Sequence, residues 1–347
     1  MSKTEAFKFD LPGNHKLSRP FFRPDKLADP LYVVTPIFNA ARWRSRWKLY
    51  ADFRKMVAEA GAILYTIEIA FGDRDFVVTT PDDPRDIQLR TSHELWLKEQ
   101  AINLAVQRLP QDWTKVAWVD ADCHFARYDW ADETKHMLEH FPVIQMWSTM
   151  QDLNSDHEVN GQVGSFAAYW LKYGEYPRGP RRDPYYMDKL NKYPGAPGLA
   201  WAMRREAWDQ LGGLIDYCIL GAGDWYMAHA LTGQLGRVVT PDQGRLGTKM
   251  QEWEDRARES RWNERSILGN LGVMKGTCYH YWHGPKANRR YKTREKILAD
   301  AQFNPDLDLK RDWQGLYQVT NRVPQMRRDL KSYFDQRNED APTEQKE

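Results

Sequence analysis

Between Leu31 and Phe125, short apolar runs alternate with helix-spaced apolar residues, and each run stops at a polar cluster. Leu31-Tyr32-Val33-Val34 ends at Thr35-Pro36, as a buried strand entering a loop does. Trp43, Trp47, Tyr50, Phe53 and Val57 recur every three to four residues, the spacing of an amphipathic helix closed by Gly61. Ala62 to Ile67 reads as a second strand, followed by Glu68 and a turn through Gly72-Asp73. The polar segment 74–92, with Pro81 and Pro84, reads as a loop. Thr91-Ser92-His93-Glu94 has capping-box spacing and predicts a helix from there to about Leu109. Val116 to Val119 is then a third strand, ending at Asp120-Ala121-Asp122.

Such alternation predicts an α/β fold: a Rossmann-like, mostly parallel central sheet with helices on both faces. In sheets of this kind ligands sit beyond the carboxyl ends of the strands. The clusters at Thr35–Asn39, Glu68 and Asp120–Asp122 are therefore expected to converge on one crevice. Four regions follow: an irregular arm at 1–30, a first half at 31–130 that carries the strand-end clusters, a second half at 131–290, and a helical segment with a polar tail at 291–347. In the second half, Val143 to Trp147 and Leu199 to Met203 read as strands. Arg204 to Leu211 and Asp224 to Leu231 read as helices, with Asp224 as a natural N-cap. Residues 151–198 are loop-rich and carry the basic run Arg178 to Arg182. The tail beyond about Phe334 is polar and is expected to be disordered.

Charge and cysteine content narrow the function classes. Fifty Lys and Arg against 48 Asp and Glu leave a net charge of +2, which gives no global argument for nucleic acid or a membrane surface. The longest apolar runs are far too short to span a bilayer, and Met1 to Asp10 lacks the apolar core of a signal peptide. Cys123, Cys218 and Cys278 form no CxxC pair, so neither a zinc knuckle nor a disulfide framework is indicated. An odd count fits a reducing compartment, and the expected location is cytoplasmic. Fifteen Trp and seventeen Tyr exceed what a core this size needs. Some of these flat faces with polar edges suit sugar rings and nucleobases.

Asp120 and Asp122 carry the chemistry. Residues i and i+2 on a strand point to the same side, so two carboxylates at a strand end can hold one hard divalent cation. Mn²⁺ or Mg²⁺ would take its remaining ligands from water or a diphosphate. The alternative is an ordinary solvated turn after a buried strand.

Lys98 to Asn103, Trp118 to Asp122, Gly198 to Met203, Gly212-Gly213-Leu214 and Gly221 to Asp224, with a late His, resemble the core of GT-A glycosyltransferases. The resemblance is to the branch with the β-1,4-galactosyltransferases and polypeptide GalNAc-transferases, and it spans about residues 31–290. It implies that Asp120 and Asp122 form the DxD pair, the second binding Mn²⁺ and the first helping to hold ribose. It places Thr35, Pro36 and Asn39 in the loop receiving the nucleotide and Glu68 near base or ribose. Lys98 and Asn103 would lie near uracil and diphosphate. Five residues apart on a helix, however, they diverge by about 140° and cannot both face the site. Asp224 matches the catalytic base of the inverting galactosyltransferases, although the acidic run expected around it is replaced by Gly223 and Trp225. His280 or His283 would give a further metal ligand. On a strand the two would face opposite sides, with His280 preferred. Lys286, Arg289 and Arg290 could close over the diphosphate. Trp147, Trp201 and Trp225, with Arg178, are the candidate acceptor contacts.

The expected activity is transfer from a nucleotide-diphosphate sugar, a UDP-sugar, to a hydroxyl on a glycan, a lipid-linked glycan or another acceptor. Three alternatives stand beside it. A nucleotidylyltransferase would carry a glycine-rich loop after the first strand, where this chain has Pro36-Ile37-Phe38-Asn39. A non-catalytic sugar-nucleotide or carbohydrate-binding protein would not need Asp120, Asp122, Asp224 and the His pair together. An enzyme acting on modified bases of DNA could use Arg178, Arg181 and Arg182 with Tyr185 and Tyr186.

Overall fold

A computed structural model describes residues 29–174, 195–291 and 293–343. Arg178 and the rest of the basic run lie outside the described residues.

Apart from one added strand, the chain begins as anticipated. β1 (Leu31–Phe38), α1 (Arg44–Glu59), β2 (Ile63–Phe71), β3 (Asp86–Thr91), α2 (Lys98–Val106) and β4 (Lys115–Val119) follow in order. β5 (Cys123–Phe125), α3 (Trp130–Met137), β6 (Val143–Gln145), β7 (Thr149–Leu153), β8 (Val159–Gly164) and α4 (Phe166–Tyr173) come next. Then come β9 (Ala200–Arg204), α5 (Arg205–Leu211), α6 (Gly223–Leu231) and α7 (Gly244–Glu259). A short hairpin of β10 (Arg261–Trp262) and β11 (Arg265–Ser266) precedes β12 (Leu271–Val273) and β13 (Thr277–His280). α8 (Lys296–Asp300), α9 (Pro305–Asp308), β14 (Leu309–Arg311), β15 (Tyr317–Val319) and α10 (Pro324–Asp335) complete the described chain.

The central sheet has seven strands in the order β12-β6-β9-β4-β1-β2-β3. β9 runs antiparallel to β4 and β6; the other pairings are parallel. Both faces are covered, which is why β1 reads as a continuous apolar run. Tyr32, Val34 and Phe38 pack in one core cluster, and Leu31, Val33 and Ile37 in the other. A second sheet, β5-β13-β7-β8, stands beyond the carboxyl end of β4. Four tryptophans, Trp130, Trp147, Trp201 and Trp253, are fully buried, so part of the aromatic excess is core. Among the described residues no helix is long and apolar enough to cross a membrane.

Several local expectations are corrected. Residues 86–91 form an edge strand rather than loop, with Ile87, Leu89 and Thr91 inward in strict alternation. The capping-box residues do not start a helix: Thr91 ends β3, its hydroxyl accepts the His93 N–H at 3.1 Å, and α2 begins at Lys98. Glu94 instead meets Lys331 at 2.9 Å. Asp224 is not an N-cap, because α6 starts one residue earlier and Ala222 takes the cap position with φ +68°. Cys123 and Cys278, 155 residues apart, are joined as a disulfide, since antiparallel pairing lays β13 on β5. That pairing is long-range and leaves no spacing signal. The tail is ordered through Thr343, because Glu339 is buried in ion pairs and the Asp340 carboxylate accepts the Arg44 and Ser45 N–H groups at 2.8 and 2.9 Å.

Candidate active site

A cavity of about 590 Å³ lies at the carboxyl ends of β1 and β4, within the size range of small-molecule sites. Its walls come from Pro36–Phe38, Asp120–Asp122, Pro197–Leu199, Gly221–Tyr226 and the chain after β13. The backbone itself ties these pieces together. Asp120 N–H donates to Leu199 O at 2.8 Å, and Tyr281 N–H donates to Asp122 O at 2.9 Å.

At one end Asp122, His280 and His283 each offer a ligand atom, all within 4.8 Å of one another. The two histidines do not face opposite sides. β13 ends at His280, so His283 lies beyond the strand and the turn brings its ring back. Their Nε2 atoms are 2.9 Å apart, and Asp122 Oδ2 is 3.3 Å from His283 Nε2 and 4.0 Å from His280 Nε2. The surrounding network sets the tautomers. His280 Nδ1–H donates to Asp152 Oδ1 at 2.7 Å, which leaves Nε2 bare in the neutral ring. Arg289 donates to His283 Nε2 at 2.8 Å. Burial first, then Arg289, push the His283 imidazole well down, so it is neutral. Asp122 Oδ1 is buried with no hydrogen-bond partner. Three electron-rich atoms, one of them also accepting from Arg289, thus lie within reach of a single ion beside an orphaned carboxylate oxygen. That arrangement is costly without a cation and fits one well.

Asp152 supports this group from behind. It lies opposite His280 in the parallel β13–β7 register, and its other oxygen accepts Lys286 Nζ at 2.6 Å. Burial alone would raise its carboxyl. The hydrogen bond from His280, then the charge and hydrogen bond of Lys286, outweigh that and hold it well below the usual range. A carboxylate behind a ligating imidazole fixes the ring and its tautomer. The sequence offered no signal for Asp152, because only the sheet pairing brings it here.

The other end holds Asp120, Lys98 and Asp224. Lys98 Nζ lies 2.6 and 2.7 Å from the two Asp120 oxygens. Burial would lower the Lys98 ammonium, but Asp120 and then Asp224 raise it, so it stays charged. Asp120 is therefore committed to Lys98 and is not part of the three-residue group. Asp224 sits in the first turn of α6. Its Oδ1 accepts the Trp225 N–H at 2.8 Å, and Oδ2 is aimed at Gly198. A Cβ on Gly198 would stand 2.8 Å from that oxygen, so a larger residue there would push the Asp224 carboxylate aside. Behind Asp224 lies Glu99, whose carboxyl burial pushes up to about 8, neutral at pH 7. A Cβ on Gly223 would be 2.5 Å from Glu99 Cδ. Gly223→Ala is expected to cost about 1–3 kcal/mol through overpacking. Urea denaturation checks this, and a wild-type midpoint would contradict the packing described.

The remaining sequence candidates are scattered. Pro36 and Trp225 line the cavity. Thr35 is fully buried and donates to Val119 O at 2.8 Å, holding β1 to β4. Asn39 and Glu68 lie in a neighbouring cavity of about 330 Å³ that shares Ile37. Both Glu68 oxygens are taken by Val77, Val78 and Thr79, so it organises that loop. Asn39 braces the start of α1 through Trp43. Asn103 points away from Lys98, as the helical angle requires, and clasps Leu214 N–H and O at 2.9 and 3.0 Å. Trp147 and Trp201 are core residues. Their indole N–H groups donate to Gly198 O and Pro197 O at 3.3 and 2.6 Å, holding the wall that faces Asp224. Arg46 and Arg337, unmarked in the sequence, line the cavity.

No protein-family model matches the chain, and no curated protein matches it. Among solved structures it is similar to the catalytic domain of Drosophila beta1,4-galactosyltransferase 7 in complex with xylobiose. That match has 12% identity and a TM-score of 0.36, and covers 86% of this chain and 98% of that one. It is similar to a mannosyltransferase from Pyrobaculum calidifontis in complex with GDP-Man and Mn²⁺, at 14% identity and a TM-score of 0.38. There the coverage is 91% of this chain and 71% of that one. It is also similar to 4-diphosphocytidyl-2C-methyl-D-erythritol synthase from Anaerococcus prevotii, at 10% identity and a TM-score of 0.32. The coverage is 89% and 96%. With TM-scores below 0.5 these likenesses carry no argument about activity, and the reading below rests on the site.

Proposed function

We propose that the chain is a metal-dependent glycosyltransferase. It would move a sugar from a nucleotide-diphosphate sugar, a UDP-sugar, to a hydroxyl acceptor in one inverting displacement. The observation that carries this reading is the sharing of one cavity by a cation-shaped group, Asp122, His280 and His283, and a separate carboxylate, Asp224. The donor set, one carboxylate oxygen and two imidazoles, suits Mn²⁺ better than Mg²⁺, which prefers oxygen alone. A divalent cation bound there would supply positive charge against the leaving diphosphate.

The chain's own groups supply the rest. Arg289, beside His283, adds a fixed guanidinium on the diphosphate side. Lys98 and Asp120 place a paired charge at the end of β4, where Asp120 can hold ribose. Asp224 Oδ2, facing the Gly198 wall, takes the proton the acceptor hydroxyl loses. Trp225, next to it, offers an aromatic face for the acceptor. Sugar transfer passes through an oxocarbenium-like state, and no covalent nucleophile is needed.

The test is turnover of a panel of UDP-sugars with Mn²⁺, read as UDP release. Release that stops in excess EDTA supports the reading. Pyrophosphate release from UTP and a sugar 1-phosphate, without UDP release, would replace it with nucleotidylyl transfer. Asp152→Asn is expected to weaken Mn²⁺ binding by about 10–100-fold, because His280 loses its carboxylate partner. Calorimetry in the absence of donor measures this, and unchanged affinity would separate Asp152 from the metal group.

A further inference from the structure

His283 is held from both sides in sequence by one segment, residues 337–343, that follows α10. Its neighbour Trp282 donates Nε1–H to Ala341 O at 2.6 Å. Its other neighbour, Gly284, has φ +89° and packs directly on the segment, where a Cβ would stand 2.7 Å from Asn338 O and Glu339 Cα. The same segment is fastened at two further places. Asp340 accepts the first two N–H groups of α1, and Thr343 N–H donates to Ser155 Oγ at 3.2 Å.

Glu339 is the centre of this segment. Its side chain is 1% exposed, and it takes a forked pair from Arg46 at 2.6 and 2.8 Å and lies 2.9 Å from Arg337 Nε. His283 Nδ1 is 3.9 Å from it. Burial would raise its carboxyl, but Arg46 and Arg337 outweigh that and hold it ionised. The remaining nitrogen of the Arg46 guanidinium, Nη1, donates to Phe38 O at 2.6 Å, at the close of β1. Arg337 lies over the Trp96 ring at 5.0 Å. Both guanidiniums line the cavity, and without the carboxylate they would be like charges held together in a dry place.

We infer that Glu339 is a positioning residue for the site: through Arg46, Arg337 and the turn carrying His283 it sets the geometry that receives metal and diphosphate. This rests on the glycosyltransferase reading above, and makes residues 337–343 part of the active site rather than a trailing segment. Glu339 touches neither metal nor substrate. It acts by neutralising and aiming the groups that do.

The test is calorimetry with two probes, Mn²⁺ alone and UDP with Mn²⁺, on wild type, Glu339→Gln and Asp340→Asn, with thermal melts in parallel. Asp340 fastens the same segment to α1 through Arg44 and Ser45, neither of which lines the cavity, so its variant reports mere attachment. Glu339→Gln is expected to weaken UDP·Mn²⁺ binding by about 10–100-fold, the usual scale for a residue behind the ligands. Asp340→Asn should change it less than about threefold. Wild-type affinity in Glu339→Gln, or an equal loss in Asp340→Asn, overturns the inference. If Glu339→Gln does not fold, Glu339→Asp carries the test: it keeps the charge, shortens the reach and must still weaken binding severalfold. Failure of wild type itself to bind either probe would instead count against the glycosyltransferase reading.

Discussion

Asp122→Ala is expected to lower UDP-sugar turnover by at least about 10²–10³-fold, the scale on which loss of a main electrostatic group is felt. Mn²⁺ binding should fall with it, because the two imidazoles alone lack the anionic ligand that makes the group a cation site. The apo protein should not pay for this change. Asp122 Oδ1 is buried without a partner, and such a group costs about 1–3 kcal/mol. The contact that fixes the loop, Tyr281 N–H to Asp122 O, belongs to the backbone and survives the substitution. The melting temperature without metal should therefore be equal to or above wild type, while the rise on adding Mn²⁺ disappears. A function residue that destabilises its own fold is a familiar trade. Full turnover by Asp122→Ala, or by wild type in excess EDTA, would remove the metal from the proposal.

What the sequence could disclose follows the range of the forces involved. Strand and helix periodicity is local, so β1, α1, β2 and β4 were legible from apolar spacing alone. β3 was not, because Pro81 and Pro84 obscure the run before it and its alternation, Ile87 and Leu89 in and Gln88 and Arg90 half out, spans only six residues. Placement was legible too: Asp122, just past the end of β4, and Lys98, at the start of α2, both line the cavity. Chemistry made by pairing distant strands was not. Asp152 reaches His280 across 128 residues, and Glu339 reaches Arg46 across 293. Neither has a neighbour in sequence that marks it. Polar residues near the strand ends were harder still to sort. Glu68 and Asn103 were expected at the nucleotide, yet each spends its hydrogen bonds on a loop. A buried side-chain amide or carboxylate is as useful for holding backbone as for holding a ligand, and only its partners tell which.

Asp224→Asn is the second large effect. The amide keeps the oxygen that accepts the Trp225 N–H, at 2.8 Å in the wild type, so the first turn of α6 should be unchanged. It has nearly the volume of the acid and fits beside Gly198, where there is no room to spare. What it loses is basicity. Turnover should fall by about 10²–10⁴-fold, the usual worth of a general base. UDP and Mn²⁺ affinity should stay near wild type, since Asp224 lies with Lys98 and Glu99 rather than among Asp122, His280 and His283. That split between kcat and binding distinguishes the base from every other carboxylate in the cavity. It also fixes the stereochemistry. A single base and no nucleophile allow one displacement, so the product anomer must be inverted relative to the donor. Proton NMR of the first product formed by wild type reads this directly. Retention of configuration would rule out a single inverting displacement with Asp224 as its base.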